Sequence, residues 1–292
     1  MSFSKNVKEE LSKISNLADK QLVKAELIGY LLSNNVTIKN NKIKYSTESE
    51  YNINRFAKLL NNINIVKYNI DIQGKVFSIE TDVKIDIPEI SITNNEIILN
   101  NNIKDFLSTE NLEKAFVRGT FLGSGSINNP NNKYHLEIIY NSELNMKFVE
   151  ELLEKYSIKM KTLNNSLYLK DGEEISKLLA FIGANIAVLK FEEIRVIRDM
   201  RNNVNRIVNC ETANLNKTIN ASLKQIEDIK FIKKMNKFHE LSENLQEIAN
   251  IRLENPEMSL IELGEMLQNP IGKSGVNYRL KAISNFADEL RK

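Results

Sequence analysis

The chain has 292 residues, enough for about two domains that each bury a core of their own. A hydrophobic content of 42% and a charged content of 27% are typical of a soluble globular protein. Because the formal net charge is only +2, any affinity for nucleic acid must come from local clusters of cations. No apolar run approaches the roughly 20 residues of a membrane span, and the charged N-terminus lacks the apolar segment of a signal peptide. The single cysteine, Cys210, excludes an internal disulfide, so we expect a cytoplasmic protein with no membrane partner.

The N-terminal part of the chain predicts a short helical arm followed by one helix–strand–strand–helix–strand–strand unit. The helix predicted at 22–33 is apolar nearly all round, which is typical of a buried central helix. The other predicted elements are an amphipathic helix at 4–16, two strands within 36–45, a helix at 53–60 and a hairpin of 66–72 with 76–81.

The same order of elements returns about 90 residues later. Gly29 corresponds to Gly119 at an offset of 90, and Phe56 corresponds to Phe148 at an offset of 92. The predicted elements of this second copy are a helix that runs into a glycine-containing turn within 115–127, a strand at 134–140, a helix at 145–156 and a hairpin of 158–162 with 167–169. We therefore predict an internal duplication with its central helices packed together and its two sheets forming one concave surface. The stretch 86–108 reads as the connecting segment.

The two central helices resemble the signature of LAGLIDADG homing endonucleases. The segments are Leu-Ile-Gly-Tyr-Leu-Leu-Ser-Asn-Asn from Leu27 and Val-Arg-Gly-Thr-Phe-Leu-Gly-Ser-Gly from Val117. In those enzymes an acid before the last signature position, one from each helix, binds divalent metal for phosphodiester cleavage. Here Asn34 and Ser124 stand at these positions, and neither is charged. The resemblance therefore implies the scaffold without catalytic residues, a metal or another cofactor.

A basic stretch follows the duplication. Between residues 187 and 238 there are eleven Lys and Arg residues and six Asp and Glu residues, a local charge of +5. Such a stretch can follow phosphates, although the interleaved acids are equally compatible with a solvated helical face. Within it, the polar stretch 205–218 lacks apolar periodicity and predicts an ordered connector between domains. The candidate phosphate contacts are Arg195, Arg198, Arg201 and Arg206.

The C-terminal segment from Ser259 to Ile283 predicts two short helices joined by a tight turn. Ser259 with Glu262 is a capping box that starts the first helix, and Asn269 and Pro270 end it. Ser274 is the predicted cap of the second helix, whose outer face is polar and basic. This pattern indicates a helix-turn-helix that reads the major groove, with an ordinary helical hairpin as the alternative. The candidate DNA-binding residues are Lys273, Ser274, Asn277, Tyr278, Arg279 and Lys281.

Taken together, the chain is similar to the WhiA family over nearly its full length. The segments that carry the resemblance begin at Arg118, Asn205 and Lys273 and read Arg-Gly-Thr-Phe-Leu-Gly-Ser-Gly-Ser-Ile-Asn-Asn-Pro, Asn-Arg-Ile-Val-Asn-Cys-Glu-Thr-Ala-Asn and Lys-Ser-Gly-Val-Asn-Tyr-Arg-Leu. The family implies a regulator of cell division, chromosome segregation or sporulation that binds promoter DNA without cleaving it. RNA polymerase or other regulators are further candidate partners, and nucleoid association is the implied location. Tyr278 departs from the family pattern, which usually has His there.

The resulting prediction is an α+β fold in which a two-repeat LAGLIDADG-like αββαββ pseudo-dimer precedes an all-α helix-turn-helix domain. The predicted boundaries are 1–20 for the arm, 21–206 for the LAGLIDADG-like domain with repeats at about 21–85 and 111–185, 207–237 for the connector and linker helix, and 238–292 for the helix-turn-helix domain. An alternative function is a metal-dependent endonuclease with a displaced acidic site at Glu26 or Glu50. A third keeps the N-terminal half as a platform for protein interaction or ligand sensing. Cys210 reads as a small buried residue.

Overall fold

The computed structural model describes residues 2–82 and 86–292 and shows two compact units, Met1–Asp199 and Met200–Lys292. The chain passes from one unit to the other within a single helix, Asn185–Lys234. The predicted connector at 205–218 is therefore part of a helix, although its residues are all exposed. The reason lies in the sequence, because no glycine or proline interrupts the chain between Gly183 and Pro256.

The first half of unit 1 contains the predicted helix–strand–strand–helix–strand–strand order. Its elements are α1 Phe3–Ser12, α2 Lys20–Leu31, β1 Val36–Lys39, β2 Lys42–Thr47, α3 Glu50–Asn62, β3 Tyr68–Gln73 and β4 Val76–Asp82. Helix α2 begins where the Asp19 side chain accepts hydrogen bonds from two backbone N–H groups, and the Ser49 side chain likewise accepts one at the start of α3. The strands form an antiparallel sheet of order β1-β2-β4-β3.

The segment between the halves is more ordered than a plain connection. It contains β5 Ile90–Thr93, β6 Glu96–Leu99 and the short helix α4 Ile103–Phe106. Asn94 and Asn95 form the hairpin turn with left-handed φ angles of 54° and 63°. The side chain of Asn145 donates to the carbonyl of Ile97 at 2.6 Å, so the hairpin is fixed against the second half.

The second half repeats the topology of the first. Its elements are α5 Glu110–Ser124, β7 Ser126–Ile127, β8 Leu136–Ile139, α6 Glu143–Glu154, β9 Lys161–Leu163, β10 Ser166–Leu169 and α7 Gly172–Ile182, after which Asn185–Lys234 forms α8. The sheet order, β7-β8-β10-β9, matches that of the first sheet strand for strand. The duplication predicted from residue offsets thus corresponds to two sheets of one design.

Helices α2 and α5 pack against each other at glycine. A Cβ atom on Gly29 would lie 2.1 Å from the carbonyl oxygen of Phe116, and one on Gly119 would lie 2.0 Å from the carbonyl oxygen of Glu26. Real Cβ atoms do not approach backbone oxygen so closely, so only glycine allows this separation of the two helices. The predicted reason for both glycines, close approach of the central helices, agrees with these distances.

Unit 2 is helical throughout. It contains the remainder of α8, a single 3-10 turn at Phe238–Glu240, α9 Glu243–Glu254, α10 Leu260–Glu265 and α11 Lys273–Leu290. A separate apolar core holds these helices together, and its fully buried members include Ile229, Ile232, Ile248, Leu263 and Val276. Residues 229 and 232 come from α8, so the last turns of that helix form part of this core.

Candidate nucleic-acid interface

Helix α10 is started by the predicted capping box. The Ser259 hydroxyl accepts the backbone N–H of Glu262 at 3.4 Å, and the Glu262 carboxylate accepts the backbone N–H of Ser259 at 2.7 Å. The hydrogen bonds from the backbone and side chain of Ser259 lower the pKa of Glu262. The reciprocal bonds fix where α10 begins.

The turn after α10 is held against that helix by a glycine. A Cβ atom on Gly264 would lie 2.1 Å from the carbonyl oxygen of Ile271, and the N–H of Ile271 donates to the carbonyl of Gly264 at 3.2 Å. On the other side, the carboxylate of Glu247 accepts the backbone N–H of Gln268 at 2.6 Å. These contacts determine the direction in which the chain enters α11.

The buried cation Arg252, which was not predicted from the sequence, also supports this part of the structure. Arg252 is only 2% exposed, and its Nη1 donates to the carbonyl of Met258 at 2.8 Å, so it holds the loop between α9 and α10. Burial lowers the pKa of this guanidinium. The sequence offered little signal for it, because an Arg at the end of an amphipathic helix is usually solvated.

The second helix begins earlier than predicted and ends later. Its N-cap is Gly272, not Ser274, and α11 continues to Leu290. The prediction of a serine cap was wrong because Gly272 already has the extended backbone of a cap, with φ −71° and ψ 168°, and leaves Ser274 inside the first turn. The Ser274 side chain is consequently exposed on the helix surface.

Helix α11 separates an apolar inner face from a polar outer face. The inner face consists of Val276, Leu280 and Ile283, all at most 1% exposed, as the spacing predicted. The outer face carries the candidate DNA-binding residues, of which all but the half-buried Arg279 are exposed: Lys273, Ser274, Asn277, Tyr278, Arg279 and Lys281. Tyr278 stands out, with an exposed fraction of 77%. A large aromatic side chain that is so exposed on a basic face is available to a partner.

The two degenerate nuclease positions converge on one backbone carbonyl. The hydroxyl of Ser124 donates to the carbonyl of Ile139 at 2.5 Å, and the backbone N–H of Asn34 donates to the same oxygen at 3.2 Å. The side chain of the neighbouring Asn35 donates to the carbonyl of Gly123 at 2.8 Å. In this protein the ends of the two central helices are therefore joined by hydrogen bonds at the place where the nuclease signature has acids.

The displaced acids considered for a nuclease differ in their surroundings. Glu26 is fully buried, and its carboxylate binds Arg55 at 2.7 Å, Arg118 at 3.0 Å and the amide of Asn16 at 3.1 Å. Glu50 is exposed on the first turn of α3. Among residues 2–82 and 86–292, no group of three or more His, Cys, Asp and Glu side chains is placed to hold a metal ion. Glu26 is instead the centre of a buried ionic network.

Comparison with known proteins matches both parts of the chain to one family. The family model described as the WhiA LAGLIDADG-like domain matches residues 113–201, and the one described as the WhiA C-terminal HTH domain matches residues 204–287. A "Probable cell division protein WhiA" from Clostridium tetani is 40% identical over 100% of this chain and 99% of its own length. The chain belongs to the WhiA family. A relative of the same name from Clostridium botulinum is 39% identical over the same shares of both chains.

A solved structure extends the match to the fold of the whole chain. Full-length DUF199/WhiA from Thermatoga maritima has a TM-score of 0.58 and 26% identity, and the match covers 99% of each chain. The predicted fold class, a two-repeat LAGLIDADG-like region followed by a helix-turn-helix domain, is thereby confirmed.

The four arginines of α8 in this WhiA-family chain differ in the contacts that their side chains make. Arg195 is paired with Glu192 at 3.0 Å. Arg198 donates to the carbonyls of Pro130 and Asn132 at 2.7 and 2.5 Å, and its guanidinium carbon lies 4.4 Å from the centre of a tyrosine ring. By contrast, Arg201 and Arg206 are exposed and make no ion pair with the described residues.

The exposed face of the first sheet carries mixed charge. Alternation along the paired strands places the following residues on the side opposite Ile43 and Ile79: Lys39, Lys42, Lys44, Asp71, Glu80 and Asp82. Three cations are thus matched by three acids, and Lys42 is paired with Glu80 at 2.7 Å. This face lacks the excess of cations that following a DNA backbone requires.

Two further features concern the whole of the described chain. No helix within residues 2–82 and 86–292 combines the length and apolar character needed to cross a membrane. Cys210 is exposed on α8, so the prediction of a buried cysteine was wrong. Burial was expected from residue type alone, whereas every residue of α8 from 201 to 220 is exposed.

Proposed function

We propose that this protein is a sequence-specific regulator of transcription that binds double-stranded promoter DNA through α11. The observation that carries the proposal is the outer face of that helix, where polar and basic side chains are exposed and no acid interrupts the stretch from Lys273 to Ile283. The helix stands on a tight turn fixed by Gly264, which is the architecture by which helix-turn-helix proteins present a recognition helix.

The side chains of α11 suit distinct tasks. Asn277 has the paired donor and acceptor that read adenine, whereas Arg279 and Lys281 suit guanine or phosphate. Lys273 and Ser274, in the first turn, are placed for phosphate contact, since the N-terminus of a helix favours anions. Arg201 and Arg206 are the further phosphate contacts that we propose from α8, because both are exposed and unpaired among described residues.

The process under control is proposed to be cell division, with chromosome segregation and sporulation as associated processes. Support comes from the two relatives described above, both of which carry the name "Probable cell division protein WhiA". We further propose RNA polymerase or other regulators as protein partners and the nucleoid as the cytoplasmic location, since a promoter-bound regulator acts there.

We propose binding without cleavage. In this chain Asn34 and Ser124 stand at the two positions that hold metal in the homing-endonuclease signature. The hydroxyl of Ser124 donates a hydrogen bond to the backbone carbonyl of Ile139. Glu26 is neutralised by two guanidinium groups, which leaves its oxygens unavailable to a cation. A metal-dependent endonuclease is the competing proposal, and Glu50 is its exposed acid.

The proposal is tested with the full chain on DNA fragments from its own genome. Selected promoter fragments should bind with an affinity whose logarithm falls linearly with the logarithm of salt concentration. The double variant Arg279→Ala/Lys281→Ala should lose selective binding, while Lys58→Ala, on an exposed part of α3, should bind as the parent protein does. Unchanged selective binding by the double variant would refute the role of α11. Nicking of plasmid DNA with Mg²⁺ would refute binding without cleavage.

A further inference from the structure

A polar groove in unit 1 has the lining of an anion-binding site. The groove has a volume of about 860 Å³, within the range of small-molecule sites. Its lining comes from α1, from the end of β2 and the following turn, and from the β3–β4 turn. All of these lining residues belong to unit 1, whereas α11 belongs to unit 2.

Three lysines lie on the groove, and one acid. The cations are Lys5 and Lys8 on α1 and Lys75 in the β3–β4 turn, whereas the acid is the exposed Glu48. None of the three lysines makes an ion pair with the described residues. Glu9, which is next to Lys8 in sequence, is instead paired with Lys13 at 2.7 Å. The lining therefore has three cations and one acid, although the charge of Lys5 also lowers the pKa of the nearby Glu9.

Two helices begin at the same groove. Ser2, the N-cap of α1, and Ser49, the N-cap of α3, both line it. The N-terminus of a helix carries a partial positive charge, which adds to the charge of the lysines. Ser46 and Thr47 contribute further hydroxyl groups to the lining. The helix termini, the lysines and the hydroxyls are all groups that bind phosphate oxygens.

Lys8 is the least solvated of these cations. Burial lowers the pKa of its ammonium group to about 8, and no acid among residues 2–82 and 86–292 forms an ion pair with it. The Lys8 side chain is only partly buried, whereas Lys5 and Lys75 are exposed, and a bound anion would raise the lowered pKa again.

We propose that this groove binds a small phosphorylated ligand of nucleotide size, with its phosphates on Lys5, Lys8 and Lys75. Phe77 and Val76 form the apolar part of the lining, where a base or another ring can pack. A free small ligand fits better than duplex DNA, because the adjoining sheet face carries as many acids as cations and offers no continuous track for a phosphate backbone.

The test measures binding of inorganic pyrophosphate and of ATP to the full chain by titration calorimetry. Lys8→Met keeps most of the side-chain stem and removes the charge, whereas Lys75→Gln changes an exposed turn residue that does not support the fold. Lys58→Met is the matched control, since Lys58 is exposed on the later part of α3 and does not line the groove. A second measurement follows the Lys8 pKa by NMR with and without pyrophosphate.

We expect saturable binding that Lys8→Met weakens about tenfold or more, because a charge-assisted hydrogen bond is lost. Lys75→Gln should weaken it less, and Lys58→Met should leave it unchanged. The Lys8 pKa should rise when pyrophosphate binds. Absence of saturable binding by both probes, or equal loss in Lys8→Met and Lys58→Met, would overturn the proposal. So would displacement of pyrophosphate by random duplex DNA. Promoter binding through α11 should be intact in Lys8→Met, which separates this test from that of DNA reading.

Discussion

Glu26 and Arg118 join the two halves of unit 1 across 92 residues of sequence, with Nη2 of Arg118 3.0 Å from Oε2 of Glu26. Arg55 approaches the other carboxylate oxygen at 2.7 Å, so one buried acid serves two cations. Glu26 lies on α2 and Arg118 on α5, the helices that meet at Gly29 and Gly119. The network therefore occupies the place where the repeats pack together.

Glu26→Gln should destabilise unit 1 strongly. It leaves two guanidinium groups buried without a counter-charge, and removal of one partner from a buried pair costs about 3–5 kcal/mol. The free energy of unfolding in urea should fall accordingly, whereas Glu9→Gln, which breaks an exposed pair with Lys13, should change it much less. Equal effects of the two substitutions would contradict the structural role of the network.

The lowered pKa of the Glu26 carboxylate should make the stability of the protein depend on pH. Burial raises the pKa of Glu26, but the hydrogen bond from Arg55 and the charges of Arg118 and Arg55 outweigh it and leave the pKa below its ordinary value of 4.5. The unfolded chain then binds a proton more readily than the folded one. The stabilisation is complete above the unfolded pKa and is lost as the pH falls through the folded pKa. The difference in unfolding free energy between parent protein and Glu26→Gln should therefore shrink on acidification, as measured by urea titrations from neutral pH to about pH 3.

Alanine should destabilise the contact between α2 and α5 by different amounts at Gly119 and at Gly123. Gly119→Ala would bring a Cβ atom to 2.0 Å from a backbone oxygen of α2, which forces the helices apart. Gly123→Ala meets the Ser33 side chain at 2.8 Å, a smaller overlap. Overpacking costs about 1–3 kcal/mol, so Gly119→Ala should lower the melting temperature well below that of Gly123→Ala. The reverse order in calorimetric scans would show that the helices can separate at Gly119.

Some of these contacts could be predicted from the sequence and others could not. Gly29 and Gly119 could be assigned to a close contact because glycine destabilises the interior of a helix and is retained there where a side chain would not fit. The inner face of α11 followed from its apolar spacing. The Glu26 network could not be predicted, because Arg55 and Arg118 come near it only through the fold. The predicted N-cap of α11 was wrong because glycine and serine both occur often as N-caps. Only the backbone geometry decides between Gly272 and Ser274.

Two glycines near the turn between α10 and α11, Gly264 and Gly275, should differ in how well they tolerate alanine. Gly264→Ala would bring a Cβ atom to 2.1 Å from the carbonyl oxygen of Ile271, which is backbone and cannot yield cheaply. Gly275→Ala meets the end of the Ile271 side chain at 3.0 Å, which can rotate, and alanine favours the helix. Gly264→Ala should lower both the thermal stability of unit 2 and DNA affinity, while Gly275→Ala should keep both. Wild-type behaviour of Gly264→Ala would mean that the turn is not fixed as described.

Substitution of Arg198 should affect stability, whereas substitution of Arg206 should affect DNA binding. Arg198→Ala removes two hydrogen bonds to backbone carbonyls and the stacking on Tyr134, so it should cost about 1–2 kcal/mol of stability. Arg206→Ala should leave stability unchanged and reduce the salt slope of DNA binding by about one unit if it contacts a phosphate. Urea unfolding and binding across a salt series measure the two quantities. A loss of stability in Arg206→Ala would contradict the exposed position of that side chain.

The exposed Tyr278 should determine which base is preferred rather than how strongly the protein binds DNA in general. Its ring is 77% exposed on the outer face of α11, and it carries no charge that would release counterions from DNA. Tyr278→Ala should therefore weaken binding to the preferred sequence by about 1–3 kcal/mol while leaving the salt slope unchanged. Lys281→Ala should lower the slope by about one unit if it contacts a phosphate. Selection of binding sites from a random library with the parent protein and with Tyr278→His should then give sequences that differ at one or two adjacent positions. Identical selected sequences would place Tyr278 outside the recognition contact and leave base reading to Asn277 and Arg279.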